Sequence, residues 1–290
     1  MAKDSLRRPE NAPGEFYVDS TCIDCDTCRW VGRGMFTQAG SMSAVTRQPV
    51  NPEERIAAFR ALLSCPTASI GCSGDKKDLY EAAQTFPYKI ADNVYYLGYA
   101  SEHSFGAASY LIQRPEGNVM IDSPRMNGML GKRMDALGGV KHLFLTHRDD
   151  VADHQEWSDR FGCNRIMHKG DISAGTSQME IQIEGLDPYD LAPDLKIIPV
   201  PGHTRGHSVL LYDNRFLFTG DHLEFDEDAQ KLRAFKDFCW YDWNEQIKSM
   251  TRLLNYDFEW VLPGHGRQHH ASKVEMKALM TECVQWMEKG

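Results

Sequence analysis

The stretch THRDDVADH at residues 146–154 brings two histidines and three aspartates together at the end of the apolar segment KHLFLTH, residues 141–147. Three later stretches also place histidine or aspartate after a strand-like segment: PGHTRGH at 201–207, TGDH at 219–222 and PGHG at 263–266. Imidazoles and carboxylates are the side chains that hold metals such as zinc and iron. Loops at strand ends present side chains to a common cleft. These four stretches therefore predict one metal-binding cleft.

A second group of potential ligands consists of cysteines near the N-terminus. Three of them are each separated by two residues, namely Cys22, Cys25 and Cys28, and Cys65 with Pro66 follows further on. Three thiolates at this spacing surround one face of an iron–sulfur cubane, and a distant Cys-Pro completes the ligand set. The alternative is a four-cysteine zinc site, although zinc ribbons prefer two Cys-x-x-Cys pairs. Cys72 competes with Cys65 for the fourth position, but no proline follows it.

Residues 18–71, from VDSTCIDCDTC to LLSCPTASIG, resemble single-cluster [4Fe-4S] bacterial ferredoxins over nearly the whole segment. In two-cluster ferredoxins a further Cys-Pro follows the third cysteine after three residues, whereas Gly32 and Arg33 stand at those places here. The resemblance implies a single [4Fe-4S] cluster, with the ligands Cys22, Cys25, Cys28 and Cys65. It also implies an electron donor or acceptor protein as a partner.

The 290 residues suffice for one small and one large domain. Residues 1–14 are polar and predict a loose arm, and CSGDKKD at 72–78 predicts a linker. We therefore predict a [4Fe-4S] ferredoxin-like domain over residues 1–80 and a second domain over residues 81–290. A helix is predicted over residues 52–65, with Pro52 near its start. From Tyr88 onward short strand patterns alternate with helix patterns, which predicts sheets sandwiched by helices. Strands are predicted at 93–98, 108–113, 118–123 and 165–171, and a helix is predicted at 125–139.

The order of the four histidine and aspartate motifs resembles the metallo-β-lactamase superfamily, whose fold is an αββα sandwich with one or two metals in a cleft at the sheet edges. The predicted fold class is α+β, a ferredoxin-like domain plus this sandwich. Asp221 matches the carboxylate that bridges two metals, and Asp153 and Asp221 are the candidate catalytic residues. Asp122 and His222 are predicted to lie behind the metal ligands and to hold them in position. The implied metal ligands are His147, Asp153, His154, His203, Asp221 and His265.

The first metal motif departs from the family pattern His-x-His-x-Asp-His. Asp149 stands where the family has its second histidine, and two extra residues separate it from Asp153 and His154. The sequence leaves open whether Asp149 ligates, whether Asp150 does, or whether neither does. A carboxylate is a harder ligand than an imidazole, so Asp149 favours iron over zinc, and manganese is a further candidate. Flavodiiron proteins of the same superfamily also have a carboxylate here, but they lack the insertion.

Three functions follow from this pattern. The first is an oxidoreductase, in which the ferredoxin domain feeds electrons to an iron or diiron site that acts on a small-molecule substrate. In this hypothesis Asp149 joins the six metal ligands given above. The second is a metal-dependent hydrolase of a thioester, ester or lactone, in which a metal-bound water attacks the carbonyl and the cluster is structural or regulatory. The third is a non-catalytic electron-transfer or sensor protein with a degraded second site. Dependence of turnover on a reductant separates the first function from the second.

Charge and hydropathy exclude several partners. The first 80 residues carry ten basic and ten acidic side chains, so the net charge of −9 falls on the remainder. An acidic balance disfavours nucleic acids and anionic membranes. No apolar run reaches the length of about 18 residues that a membrane span needs, and the N-terminus has no apolar signal core. We therefore expect a cytoplasmic protein, where thiols stay available for metals. A homodimer is left open.

Overall fold

The computed structural model describes residues 2–289, which form two compact units. The first unit runs to Lys141 and also contains Ala152–Gly162, and the second unit contains His142–Val151 and the chain from Cys163 onward. Elements are numbered along the chain. The predicted domain boundary near residue 80 stays a prediction. None of the helices within residues 2–289 is long and apolar enough to cross a membrane.

The cysteine-rich half of the first unit is built from short elements around one small core. Phe16 packs against Phe59 in this core, with their ring centroids 4.9 Å apart. The predicted helix over residues 52–65 is confirmed, because Asn51 caps its first turn and Pro52 suits its first position. Strands β1 and β4 pair antiparallel, as do β2 and β3. The elements are β1 (Phe16–Val18), α1 (Thr27–Val31), β2 (Phe36–Ala39), β3 (Met42–Val45), α2 (Pro52–Ser64) and β4 (Ile70–Cys72).

The prediction of a loose N-terminal arm is wrong. The side chain of Asn11 donates to the carbonyl of Val18 and accepts from the backbone N–H groups of Val18 and Val45. The guanidinium of Arg8 donates to the carbonyl of Ser43 at 2.6 Å. These two polar side chains satisfy backbone groups of the neighbouring strands, so hydrogen bonds hold the arm in place although much of it is exposed. The predicted linker is shorter than expected, since Cys72 belongs to β4.

The other half of the first unit contains an antiparallel meander and three helices. Strands β5 to β8 pair in sequence order, which confirms the three strands predicted within residues 93–123. The helix predicted over residues 125–139 begins later, because the Asn127 side chain accepts from the backbone at residues 129 and 130 and thereby caps it. The elements are α3 (Leu79–Gln84), β5 (Tyr88–Ala91), β6 (Val94–Tyr96), β7 (Tyr110–Ile112), β8 (Val119–Ile121), α4 (Gly128–Ala136) and α5 (His154–Phe161).

The two halves of the first unit are packed against each other. The Thr27 hydroxyl donates to the carbonyl of Gly106 at 3.0 Å, and the rings of Trp30 and Tyr96 lie 4.6 Å apart. A Cβ atom added to Gly106 would lie only 2.8 Å from the sulfur of Cys25, and the φ of this glycine is +89°. Glycine is therefore required at 106, where the chain passes directly over a cysteine of the CxxCxxC motif.

The second unit contains a parallel three-stranded group and a six-stranded sheet. Strands β9, β10 and β11 run parallel, and the six-stranded sheet has the order β12-β13-β14-β15-β18-β19. Helices α6 and α7 share an apolar core with the sheet, in which Met250, Val261 and Met280 are buried. The bounds are β9 (His142–Phe144), β10 (Asn164–His168), β11 (Ile181–Ile183), β12 (Tyr189–Ala192), β13 (Leu195–Pro199), β14 (Ser208–Tyr212), β15 (Phe216–Gly220), β16 (Glu224–Asp226), β17 (Lys231–Arg233), α6 (Trp243–Leu253), β18 (Trp260–Pro263), β19 (His269–His270) and α7 (Lys273–Lys289).

Candidate metal centre

Strand directions in the second unit explain why distant motifs meet. Strands β13 and β15 are both antiparallel to β14, and β18 is parallel to β15, so β13, β15 and β18 run the same way. Their carboxyl ends therefore lie at one edge of the sheet. His203 follows β13, Asp221 follows β15 and His265 follows β18. His147 follows β9 and reaches the same group of side chains.

Two imidazoles and two carboxylates form a first candidate metal position. Asp221 Oδ2 lies 3.6 Å from His147 Nε2 and 3.8 Å from His203 Nε2. Asp149 Oδ2 lies 3.9 Å from His147 Nε2 and 3.5 Å from His203 Nε2. Ligand atoms at about 2.1 Å from a tetrahedral ion are about 3.4 Å from one another. The measured separations are only a few tenths of an ångström longer than one bound ion requires.

Burial keeps His147 neutral at this position. It lowers the pKa of His147 to about 4, more than the nearby Asp221 carboxylate can offset. Within residues 2–289 no hydrogen bond reaches the buried Nε2 of His147, while its Nδ1 lies 3.0 Å from the Thr146 hydroxyl. A buried nitrogen without a hydrogen bond is costly unless another partner satisfies it, and neutral imidazole is the form that binds metals. The donor set therefore fits a bound cation.

A second group of donors shares Asp221 with the first position. His265 Nε2 lies 3.7 Å from Asp221 Oδ2. Asp150 offers an oxygen within 4.8 Å of donor atoms from His147 and Asp221. Gly264 leaves room for both carboxylates, since a Cβ there would lie 2.8 Å from Asp221 Oδ1 and 3.0 Å from Asp150 Oδ2. The space beside Asp221 is thus lined by two carboxylates and one imidazole.

Asp149 and Asp150 lie towards opposite nitrogens of His147. Asp149 lies on the Nε2 side with His203, whose imidazole lowers the pKa of the Asp149 carboxyl group. Asp150 is buried, and its Oδ2 lies 4.0 Å from His147 Nδ1. Asp149 can therefore contribute to the first candidate metal position, with the two imidazoles, and Asp150 to the second, beside Asp221.

Three predicted site residues belong to the first unit. The Asp153 carboxylate accepts a hydrogen bond from the backbone N–H of Met126 at 2.7 Å. His154 is buried at the first position of α5. Asp122 is buried with a φ of +53°, a strained conformation for a residue other than glycine. The two donor groups above contain none of these three, so the ligand roles of Asp153 and His154 and the supporting role of Asp122 stay predictions.

Asp171 is a buried site residue that the motifs did not single out. Its Oδ2 accepts hydrogen bonds from the Thr204 hydroxyl at 2.5 Å and from the backbone N–H of Arg148 at 3.2 Å. Its Oδ1 accepts from the backbone N–H of Gly206 at 2.6 Å. The carboxylate thus fastens together two loops that carry metal-ligand candidates. The sequence feature that could have identified Asp171 is its place at the end of the predicted strand RIMHKGD, residues 165–171.

Two further buried histidines lie beside the first position. The His207 ring is 4.9 Å from that of His147 and 5.3 Å from that of His222, and its Nε2 accepts from the backbone N–H of Asp221 at 3.2 Å. Burial lowers the pKa of His222 to about 3 and that of His207 well below its usual value. Both are therefore neutral side chains that pack behind ligand candidates. The supporting role of His222 stays a prediction.

In the first unit, the four predicted cluster cysteines line one small cavity. Burial, with smaller contributions from the neighbouring Cys65 and Cys22, raises the pKa of Cys25 to about 11. Thiols gathered in such a place form thiolates when a cation binds them. This chemistry fits an iron–sulfur cluster. Cys72 does not line the cavity; its sulfur lies 3.9 Å from the carbonyl of Asp75.

Hydroxyl and amide donors surround these sulfurs. The Ser43 hydroxyl hydrogen-bonds the sulfur of Cys28 and accepts a hydrogen bond from Arg29 Nε at 3.0 Å. The backbone N–H of Ser69 donates to the sulfur of Cys65 at 3.2 Å. Hydrogen bonds to cluster sulfurs are one of the means by which proteins adjust reduction potentials.

Family models match both parts of the chain. The 4Fe-4S single cluster domain of Ferredoxin I matches residues 18–72, and the metallo-beta-lactamase superfamily matches residues 105–265. The chain belongs to the metallo-beta-lactamase superfamily. The predicted recognition and fold class are therefore confirmed, with a single-cluster ferredoxin segment joined to a metallo-beta-lactamase fold. Together they support a metal-dependent function of this superfamily. No curated protein matches the sequence significantly.

Solved structures show the same fold. A metallo-beta-lactamase from Pontibacter korlensis is 18% identical, covers 70% of this chain and 98% of its own, and has a TM-score of 0.52. The DIM-1 metallo-beta-lactamase is 15% identical over 69% of this chain and 95% of its own, with a TM-score of 0.53. ETHE1 from Myxococcus xanthus is 21% identical over 67% and 89% of the two chains, with a TM-score of 0.47. At such identities the similarity concerns the fold and not the substrate.

Proposed function

We propose that this chain is an oxidoreductase in which the ferredoxin segment feeds electrons to an iron site of the metallo-beta-lactamase fold. The observation that carries the proposal is the donor set around Asp221 Oδ2. Two imidazoles, His147 and His203, and two carboxylates, Asp149 and Asp221, face one another, and each carboxylate lies 3.5 to 3.9 Å from the Nε2 atom of each imidazole. Two imidazoles with a carboxylate and open positions are typical of non-haem iron, and a second carboxylate shifts the ligand set further towards hard oxygen donors.

Each residue has a distinct part in this proposal. His147 and His203 would hold the ion through Nε2, and Thr146 supports His147 from Nδ1. Asp149 would supply a negative charge that stabilises the higher charge of an oxidised metal. Asp221 would connect this position to a second one beside His265 and Asp150, so that the site holds one or two ions. Iron supplies one-electron chemistry at such a centre, and the ligand residues fix its geometry.

The ferredoxin segment gives the proposal its electron source. The cavity of Cys22, Cys25, Cys28 and Cys65 would hold one [4Fe-4S] cluster, which exchanges single electrons with a donor protein. Gly106 lies inside the stretch matched by the superfamily model, and its backbone lies directly against Cys25. Cys25 therefore contacts the start of the stretch matched by the superfamily model, which supports a role of the ferredoxin segment as an internal electron donor.

The proposal is tested by following both metal sites in protein purified without oxygen. The wild type should contain about six irons per chain if both positions are filled, or about five if one is, since the cluster accounts for four. Mössbauer and EPR spectra should show the second centre becoming reduced when a reduced ferredoxin is supplied. In Cys65→Ser the second centre should keep its iron but no longer be reduced by that donor.

The main competing function is hydrolysis of a thioester, ester or lactone, which superfamily membership favours. In that case the second centre would contain zinc, and turnover of a test thioester would need no reductant. Zinc in the anaerobic wild type, with full thioester turnover in Cys65→Ser, would therefore overturn the redox proposal and establish the hydrolase.

A further inference from the structure

An exposed aromatic segment, residues 235–241, lies beside the candidate metal centre. Phe238, Trp240 and Tyr241 are each about half exposed and stand within four consecutive positions. The rings of Phe238 and Trp240 are 5.9 Å apart, edge to face, and that of Phe235 lies 6.3 Å from Phe238. Large aromatic side chains grouped in water are costly and commonly mark a binding surface.

This segment is fastened to the loop that carries His203. The backbone N–H groups of Trp240 and Tyr241 both donate to the carbonyl of His203, at 2.9 and 3.1 Å. The sulfur of Cys239 donates to the carbonyl of Gly202 at 3.1 Å. The ring centroid of Trp240 consequently lies 6.3 Å from that of His203. The exposed rings are thus held at a fixed place next to a metal-ligand candidate.

A positive charge stands on the same loop. Arg205 is exposed two residues after His203, and it forms no ion pair with any residue of the described chain, 2–289. An arginine that is not neutralised within the protein is available to a carboxylate or another anionic group. The segment and the arginine thus offer an apolar ring surface bonded to the loop that carries His203 and a cation on that same loop.

We propose that residues 235–241 and Arg205 bind the substrate of this centre, and that the substrate is a planar aromatic molecule with an anionic group. Trp240 stacks on the ring, Phe238 covers its edge, and Arg205 binds the anion. Stacking on a fixed aromatic side chain immobilises the ring without much loss of side-chain entropy. The inference takes the position of the centre from the proposed function, but it holds whether the bound metal is iron or zinc.

The test is a titration of the full, metal-loaded chain with 2-naphthoate, followed by the fluorescence of the ligand. The wild type should bind it, and Trp240→Ala should weaken binding about tenfold, as expected when an aromatic pair and its buried area are lost. Arg205→Gln should weaken binding about fivefold for 2-naphthoate and leave the weak binding of neutral naphthalene unchanged. Trp286→Ala is the matched control, because Trp286 is also partly exposed but packs against Trp243.

Three results would overturn the inference. The first is failure of the wild type to bind 2-naphthoate at millimolar concentration, and the second is equal binding by Trp240→Ala and the wild type while both retain their metal. The third is a wild-type dimer that Trp240→Ala converts to monomer in sedimentation, which would assign the rings to an interface between copies. Because the titration does not depend on electron transfer, its outcome is independent of whether the centre proves to be redox-active.

Discussion

At the scale of single residues, the proposed iron site makes Asp149 the side chain that we expect to decide the choice of metal. It replaces the histidine that the superfamily motif has at this place, and its carboxylate lies within 3.9 Å of both imidazoles of the first position. We expect Asp149→His to lower the iron-to-zinc ratio of the second centre, because a third imidazole suits zinc. Metal analysis of protein grown with both metals measures this ratio. Asp187→His, on an exposed loop, is the control, and an unchanged ratio in Asp149→His would contradict the assignment of Asp149 as a ligand.

Ser43 is the residue that links a positive charge to the cluster cavity. Its hydroxyl hydrogen-bonds the sulfur of Cys28 while accepting from Arg29. Removing a hydrogen bond from a sulfur ligand destabilises the more negative, reduced cluster. We therefore expect Ser43→Ala to make the reduction potential of the cluster more negative in an EPR-monitored redox titration. Ser41→Ala, which changes an exposed serine nearby, should leave the potential as it is; equal potentials in all three proteins would show that Ser43 has no such effect.

At the scale of elements, Asp171 connects two loops of the second unit. Its carboxylate accepts three hydrogen bonds from residues 148, 204 and 206 and is almost fully buried. Asp171→Ala leaves those buried donors without an acceptor, so we expect a loss of about 2 to 4 kcal/mol in the free energy of unfolding and weaker metal binding. Thr204→Val removes one donor together with one bond and should cost about 1 kcal/mol. Urea unfolding of both variants measures these losses in the free energy of unfolding. A loss for Asp171→Ala that is no larger than that for Thr204→Val would contradict the role of the carboxylate as the connection.

A second connection, between β10 and the chain before β11, gives a pH-dependent prediction. Arg165 is buried, and its Nε and Nη2 donate to the Glu180 carboxylate at 3.0 and 2.7 Å. This contact lowers the pKa of Glu180 to about 2. Because the folded state favours the ionised form, the stabilisation is complete above the unfolded pKa of about 4.5 and disappears as the pH falls towards 2.

The matching variant is Glu180→Gln, which should unfold at lower urea concentration than the wild type at pH 7. The difference between the two proteins should shrink steadily between pH 4.5 and the lowest pH at which both remain folded. Glu184→Gln, which changes an exposed partner of Lys169, serves as the control with little effect at any pH. A difference for Glu180→Gln that stays constant down to pH 3 would rule out the ion pair as its cause.

At the scale of the whole molecule, the packing within the first unit predicts that the ferredoxin segment does not move freely. Thr27, Trp30 and Cys25 contact the chain near residues 96 and 106, and Arg125 Nη1 donates to the carbonyl of Pro66 at 3.3 Å. We expect a chain cut at a protease site placed after Lys76 to elute as one particle with its cluster absorbance intact. Gly106→Val, whose side chain would meet Cys25, should allow the fragments to separate. Separation of the fragments without that substitution would show a mobile segment instead.

The sequence by itself determined the parts of this protein whose chemistry is local. The spacing of three cysteines and a distant Cys-Pro indicated a cluster, and four motifs at strand ends indicated a metal cleft, because ligand type and spacing are visible without a fold. Most strands and helices were also predictable from periodicity and from caps such as Asn51 and Pro52. The loose arm over residues 1–14 was predicted wrongly, since polar composition does not show whether a side chain bonds to water or to a neighbouring strand.

Only the tertiary structure decided which aspartates face which imidazole and what lies around them. Asp149, Asp150 and Asp153 are close in sequence, yet Asp149 lies near His203, Asp150 near Asp221, and Asp153 accepts from Met126. Asp171 and the aromatic segment carry no motif, because their positions depend on contacts with loops far away in the chain. Donor distances of a few ångströms are set by strand direction, register and burial, and these are properties of the packed molecule and not of any local pattern.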